Sequence, residues 1–134
     1  MKRTMSRAAV LAAAAGSLLV AVPASPAYAA PVAVDIQGGR VEWNANPYNG
    51  IPGDSFRVCD TVADGYGLET EMYKNVTETF DGDYVREVTT RGHDSPYCTP
   101  WSSGDLYEGN QVNLRTYKVK GTFRQLVHVL GARA

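Results

Sequence analysis

Turn-forming clusters recur along this chain from residue 38 onward, and they leave only short intervals between them. Gly38-Gly39, Asn46-Pro47-Tyr48-Asn49-Gly50, Asp64-Gly65-Tyr66-Gly67, Asp81-Gly82-Asp83, the Gly92–Gly104 stretch with its prolines, Glu108-Gly109-Asn110 and Gly121 are the separators. Each supplies a residue that tolerates positive φ or has its φ pre-set for a turn. The intervals are rich in β-branched and aromatic residues and often alternate in polarity. They predict strands over Val32–Ile36, Arg40–Trp43, Ser55–Val62, Gly67–Tyr73, Tyr84–Thr90, Gln111–Val119 and Thr122–Leu130. Short links such as Asp81-Gly82 make neighbours antiparallel. The expected fold is all-β: a small antiparallel β-sandwich or Greek-key barrel of about seven strands with one disulfide.

Two intervals carry finer detail. Strict alternation puts Tyr84, Arg86, Val88 and Thr90 on one face and Val85, Glu87 and Thr89 on the other. In Gln111–Val119 the apolar parity changes after Thr116, and a bulge there would restore one inward face. The Thr122–Leu130 interval also fits a short helix by spacing. Val127, Val129 and the lack of an acid at its start favour a strand.

The chain opens with Lys2, Arg3 and Arg7, then an Ala/Leu/Val run to Val22, then Pro23, Pro26 and an Ala27-Tyr28-Ala29 site. That order reads as a secretory signal peptide over residues 1–29, leaving one β-sandwich domain over residues 30–134. A membrane anchor would need about 20 strongly apolar residues, and this run is shorter and Ala-rich. The expectation is a secreted, extracellular product with no membrane partner. After the cut, 105 residues carry ten basic and 14 acidic side chains, net −4, and this bulk charge argues against nucleic acid as a partner. The charge is uneven: residues 111–134 hold Arg115, Lys118, Lys120, Arg124 and Arg133 and no acid. These basic strands are expected to pair with acidic neighbours across the sheet; a patch for a polyanion is the sharper alternative.

Cys59 and Cys98 are the only cysteines. In an exported chain they are expected to form one disulfide acting as a staple, without the Cys-x-x-Cys spacing of a redox pair or the further ligands of a zinc site. The acidic turns Asp60–Asp64 and Asp81–Asp83 lack the spaced oxygens of a calcium loop. No metal or other cofactor is expected. The domain is expected to differ from an immunoglobulin fold, since no Trp follows Cys59 at the usual distance.

Catalytic letters are few. Gly53-Asp54-Ser55-Phe56 resembles the Gly-Asp-Ser-Leu block of a large esterase family, which would imply Ser55 as nucleophile. That family also needs a late Asp-x-x-His, and His128 follows Gln125-Leu126-Val127. A turn before a strand explains the same four residues. A small hydrolase would draw on Glu87, His93 or His128, with Arg86 or Arg91. The adjacent His93-Asp94-Ser95 fit local turn bonding better than a triad, whose members come from separate elements.

The Arg91–Gly104 connection is the most informative stretch. It is long and packs Pro96, Tyr97, Cys98, Pro100 and Trp101 together, which points either to a binding loop or to a packed cover over the disulfide. The ligand-binding candidates are Tyr97, Trp101, Tyr107 and Arg91, with Tyr48 as a further aromatic. The expected function is that of a secreted, monomeric, non-enzymatic binding protein, its partner an extracellular polysaccharide or a secreted protein. The alternatives are a small inhibitor of an exported enzyme and a small secreted hydrolase.

Overall fold

The computed structural model describes residues 29–134, in nine strands and no helix. They are β1 (Val32–Ile36), β2 (Gly39–Asn44), β3 (Ser55–Asp60), β4 (Gly67–Lys74), β5 (Asp83–Thr89), β6 (Tyr97–Cys98), β7 (Ser102–Ser103), β8 (Gln111–Lys120) and β9 (Phe123–Arg133). The leader read over residues 1–29 lies outside the described residues apart from Ala29. All seven expected strands are present. The interval that also fitted a helix is β9, the longest strand.

The strand count needs correcting from seven to nine, and both additions fall in the Arg91–Gly104 connection. Its second half lies along β3, where Tyr97 faces Asp60, Cys98 faces Cys59, Ser102 faces Phe56 and Ser103 faces Ser55. Pro100, which has no N–H, sits in the gap between the two short strands. Thr99 bridges the gap from one side: its N–H donates to Val58 O at 2.9 Å, and its Oγ1 accepts the Val58 N–H at 3.2 Å. A two-residue strand has no alternation to read, so this edge left no pattern in the sequence.

Two antiparallel sheets form a sandwich. The first runs β1-β2-β3-β6, with β7 also on β3; the second runs β5-β4-β8-β9. The chain crosses between sheets from β3 to β4, from β5 to β6 and from β7 to β8. Val41, Trp43 and Phe56 from the first sheet meet Met72, Val112 and Leu114 from the second in a buried core. In the second sheet the Thr70 and Thr116 hydroxyls, both fully buried, satisfy each other at 2.9 Å. Gly39 is required on β2 because a Cβ there would collide with Cys59 O and Leu68.

Two bulges set which side chains face out. The β8–β9 register shifts between Thr116 and Tyr117, at the position expected but on the other strand: Val127 of β9 is the extra residue, since His128 faces Thr116 and Leu126 faces Tyr117, while β8 pairs with β4 in unbroken register. The second bulge corrects the strict alternation read for Tyr84–Thr90. Tyr73 faces Tyr84 and Met72 faces Arg86, so Val85 is extra. Tyr84 therefore shares the outer face with Tyr73 and Glu87, and it is 56% exposed.

Among the described residues two of the five basic residues of the last segment pair with acids, and of these only Arg124 does so across the sheet. Arg124 contacts Glu69 at 3.0 Å and Glu71 at 2.5 Å, and Lys118 reaches Asp64 at 2.6 Å. The hydrogen bond from Lys118 holds the Asp64 carboxyl below its usual value of 3.8, helped by the Tyr66 N–H. A folded-state value below the unfolded one stabilises the fold above about pH 4, and that contribution is lost as pH falls through the folded midpoint. We expect an NMR titration to place the Asp64 midpoint below 3.8 and to move it upward in Lys118→Met; an unmoved midpoint would refute the pairing.

The Cys59–Cys98 disulfide is formed, on the face of β3 opposite the core side chains Phe56 and Val58. It is compatible with an oxidising, extracellular environment. Among the described residues no helix is long and apolar enough to cross a membrane.

Candidate functional site

Three connections meet at one end of the sandwich: residues 61–66 after β3, 90–96 after β5 and 121–122 between β8 and β9. They enclose a cleft of about 770 Å³ whose polar walls include Asp60, Tyr66, Arg91, His93, Asp94 and Lys120. Loops held at one end of a rigid sandwich are a common place for recognition.

Local chemistry fixes each wall. Thr90, 1% exposed, extends the β4–β5 ladder by one step: its N–H donates to Leu68 O at 2.9 Å and its Oγ1 accepts the Leu68 N–H at 2.8 Å. Gly92 then reverses the chain at φ 81°. His93 donates its N–H to Thr90 O at 3.2 Å and stacks on the Tyr97 ring, centroids 3.7 Å apart and planes within 6°. Ser95 donates to Val62 O at 3.3 Å, tying the loop after β5 to the loop after β3. Arg91 bridges to the third connection, donating Nη1 to Gly121 O at 2.9 Å and pairing through Nε with Glu69 at 3.3 Å. Lys120 lies 4.9 Å from the Tyr66 ring centroid, and Phe123 packs edge-on against that ring.

Asp60 is the unusual member. It ends β3 on the same parity as Phe56 and Val58, which turns it inward, and it is only 4% exposed. Its Oδ1 accepts the Val62 N–H at 3.1 Å. Among the described residues no basic side chain lies within ion-pair distance of it. A buried carboxylate without a cation is costly unless other donors reach it, and this one borders open space.

The four candidates chosen from sequence do not share one surface. Arg91 lines the cleft. Tyr97 supports it indirectly by stacking on His93. Trp101 stands on the outer face of the first sheet, where the Arg57 guanidinium lies 4.7 Å from its ring and Arg57 also pairs with Glu42 at 2.7 Å. Tyr97 pairs with Asp60 and alternates with Cys98, so it points to the opposite face from Cys98; one extra residue between Cys98 and Ser102, relative to β3, leaves Trp101 on the outer face as well. Tyr107, 84% exposed, belongs to the connection between β7 and β8 at the other end of the molecule. Tyr48 closes a small turn with Ile51 within the β2–β3 connection.

The other sequence candidates also have definite places. Ser55 is fully buried and donates to Pro52 O at 2.5 Å, so its hydroxyl is a turn fastener and not an exposed nucleophile. Asp81 is consumed capping its own loop, accepting from the Thr77 and Glu78 N–H groups and from the Thr77 hydroxyl. These bonds, that of the Thr77 hydroxyl foremost, hold its carboxyl low.

Glu69, Glu71 and Glu87 bring carboxylate oxygens within 4.8 Å of one another on the outer face of the second sheet. Both Glu69 oxygens are taken by Arg91 and Arg124, and both Glu71 oxygens by Arg124 and the Tyr73 hydroxyl. A cation there would have to displace two guanidinium groups, so the residues fit an ion-pair network and not a metal centre. Sequence reasoning missed Asp60, Lys120 and Tyr66. The signal for Asp60 was available in the Phe56, Val58, Asp60 parity; Lys120 and Tyr66 join the cleft only through the sheet order.

No protein-family model, curated protein or solved structure matches this chain.

Proposed function

We propose that the protein is secreted and acts as a non-enzymatic binding module whose loop-end cleft takes carbohydrate from an extracellular polysaccharide or cell surface. The observation that carries this reading is Asp60, a carboxylate 4% exposed, without an ionic partner among the described residues, bordering the cleft of about 770 Å³. Sugar hydroxyls are donors suited to such a carboxylate, and a charge-assisted hydrogen bond made out of bulk water is a strong one. Arg91, Lys120 and His93 bring donors to the same space, while Tyr66 gives it an apolar wall. An inhibitor would be favoured by a loop standing proud of the domain; here Tyr97–Ser103 lies along β3.

The test is retention of the purified, oxidised protein on insoluble cell-wall and plant polysaccharides. Asp60→Asn keeps the acceptor for Val62 N–H but removes the charge, and it should weaken retention at least about tenfold, equivalent to about 1.4 kcal/mol. Arg91→Ala should weaken it as well, and Trp101→Ala should leave it unchanged. Thermal melts of each variant separate lost binding from lost fold. Retention abolished by Trp101→Ala and untouched by Asp60→Asn would move the site to the outer face of the first sheet and refute the cleft. Failure to bind any matrix would overturn the carbohydrate reading.

A second reading rests on His93 and Asp94 lining the same cleft as Asp60, the combination a small hydrolase would need. Steady release of soluble sugar ends from a retained polysaccharide, lost in His93→Ala, would favour it over simple binding.

A further inference from the structure

Among the described residues no ladder joins the two sheets of the sandwich on either side. β1 is the edge of the first sheet and β9 the edge of the second, and no ladder joins them. Between them lies a second, smaller pocket of about 210 Å³ that shares no residue with the loop-end cleft. Its walls are mostly apolar, from Val32, Trp43, Ala45, Leu130 and Ala132; Asn46 adds one polar side chain, Arg133 stands at the rim, and Ala29 and Ala30, which flank the expected leader cut, complete the lining. The Trp43 indole is held as a fixed wall, 3% exposed, with its Nε1–H donating to Arg133 O at 3.2 Å. Val32 remains 51% exposed at the mouth, a large apolar surface left uncovered.

We infer that this pocket binds the tail of a medium-chain carboxylate, an amphiphile of about eight carbons whose acid group meets Arg133. The volume supports the tail: at interior packing density, roughly six to eight methylene groups fill such a space. The charge supports the head group, because Arg133 makes no ion pair among the described residues and is exposed. A cut after Ala29 would add the Ala30 ammonium to the same lining as Arg133. A mostly apolar chamber with cations in its lining suits an acyl anion better than a sugar, whose many hydroxyls would find few partners on these walls.

Trp43 reports on its own pocket. With Trp101→Phe as the background, Trp43 is the sole tryptophan, and octanoate should change its emission in a saturable way. Each buried methylene is worth about fourfold in affinity, so hexanoate should bind roughly fifteenfold more weakly. Octanol should bind about tenfold more weakly than octanoate, and Arg133→Gln, a change at an exposed residue, should narrow that difference, the Ala30 ammonium of the cut chain remaining. Ala132→Leu fills the pocket and should abolish the response while the far-ultraviolet circular dichroism stays unchanged. If Ala132→Leu fails to fold, the octanoate-against-octanol comparison in Arg133→Gln still decides. No saturable change in Trp43 emission would overturn the site. Equal binding of octanol, or tighter binding of a small neutral aromatic, would overturn the carboxylate class. Polysaccharide retention should be unaffected by octanoate, so this inference and the cleft reading fail independently.

Discussion

Removing the disulfide with Cys59→Ala and Cys98→Ser is expected to cost about 4 kcal/mol of unfolding free energy on the chain-entropy account. The cysteines are 39 residues apart, and joining them withdraws much of the freedom the unfolded chain would otherwise regain. A chain of this size has only about 5–15 kcal/mol in hand, so the loss is a large part of the total. It should lower the melting temperature by roughly 15–30 °C. The effect is also directional in space. β6 and β7 hold to β3 through two residue pairs each, and the disulfide is the covalent link among them. Without it the edge Tyr97–Ser103 should exchange its amide protons faster, and with it the His93 wall of the cleft, which rests on Tyr97. Urea titration with and without a thiol reductant measures the first effect and hydrogen exchange the second. A loss under 1 kcal/mol would show that native-state contacts already hold this edge.

Truncating Phe56 to Ala should cost about 3–5 kcal/mol. Phe56 is 0% exposed, faces Trp43 across the β2–β3 ladder and belongs to the one core cluster that unites the two sheets. The penalty combines the lost transfer energy of the ring with the cavity left between walls that relax only in part. Phe123→Ala is the matched control: that ring is 45% exposed and packs edge-on against Tyr66, so its loss should cost under about 1 kcal/mol. Equilibrium urea unfolding with unchanged m-values would report both. Similar losses at the two sites would mean that the sheets do not share the core described above.

The all-β class was legible because it depends on local chemistry. Turn residues and short alternating intervals act within a few positions of each other, and all seven strands they marked are present. The bulge near Thr116 was legible only in its position: the parity change was read within β8, whereas the extra residue is Val127 of β9 and β8 pairs with β4 in unbroken register. The bulge at Val85 was not, because Tyr84–Thr90 alternates plausibly on either register and only pairing with β4 decides between them. β6 and β7 were illegible too: their pairing comes from β3, some 40 residues away, and from a threonine side chain standing in beside Pro100.

Grouping of the functional side chains lay furthest from the sequence. Tyr97 and Trp101 are four residues apart, a spacing that plain alternation would put on one face, yet between Cys98 and Ser102 the edge holds one residue more than β3 opposite it, and that turns Trp101 to the outer face. Asp60 looks like part of a solvated acidic turn, yet it ends an inward-facing row. The five basic residues of the last segment look like a patch, yet Arg124 and Lys118 are paired with acids on β4 and on the connection before it.

The sequence by itself determined seven of the nine strands, their antiparallel sense and the disulfide partners, because each follows from backbone preference, short-range spacing or having only one possible pair. The tertiary structure alone decided the sheet order, the edge built from the long connection, the cleft around Asp60 and the pocket beneath Trp43. Those depend on contacts between residues far apart in the chain, and no local preference encodes which distant strand will be the neighbour.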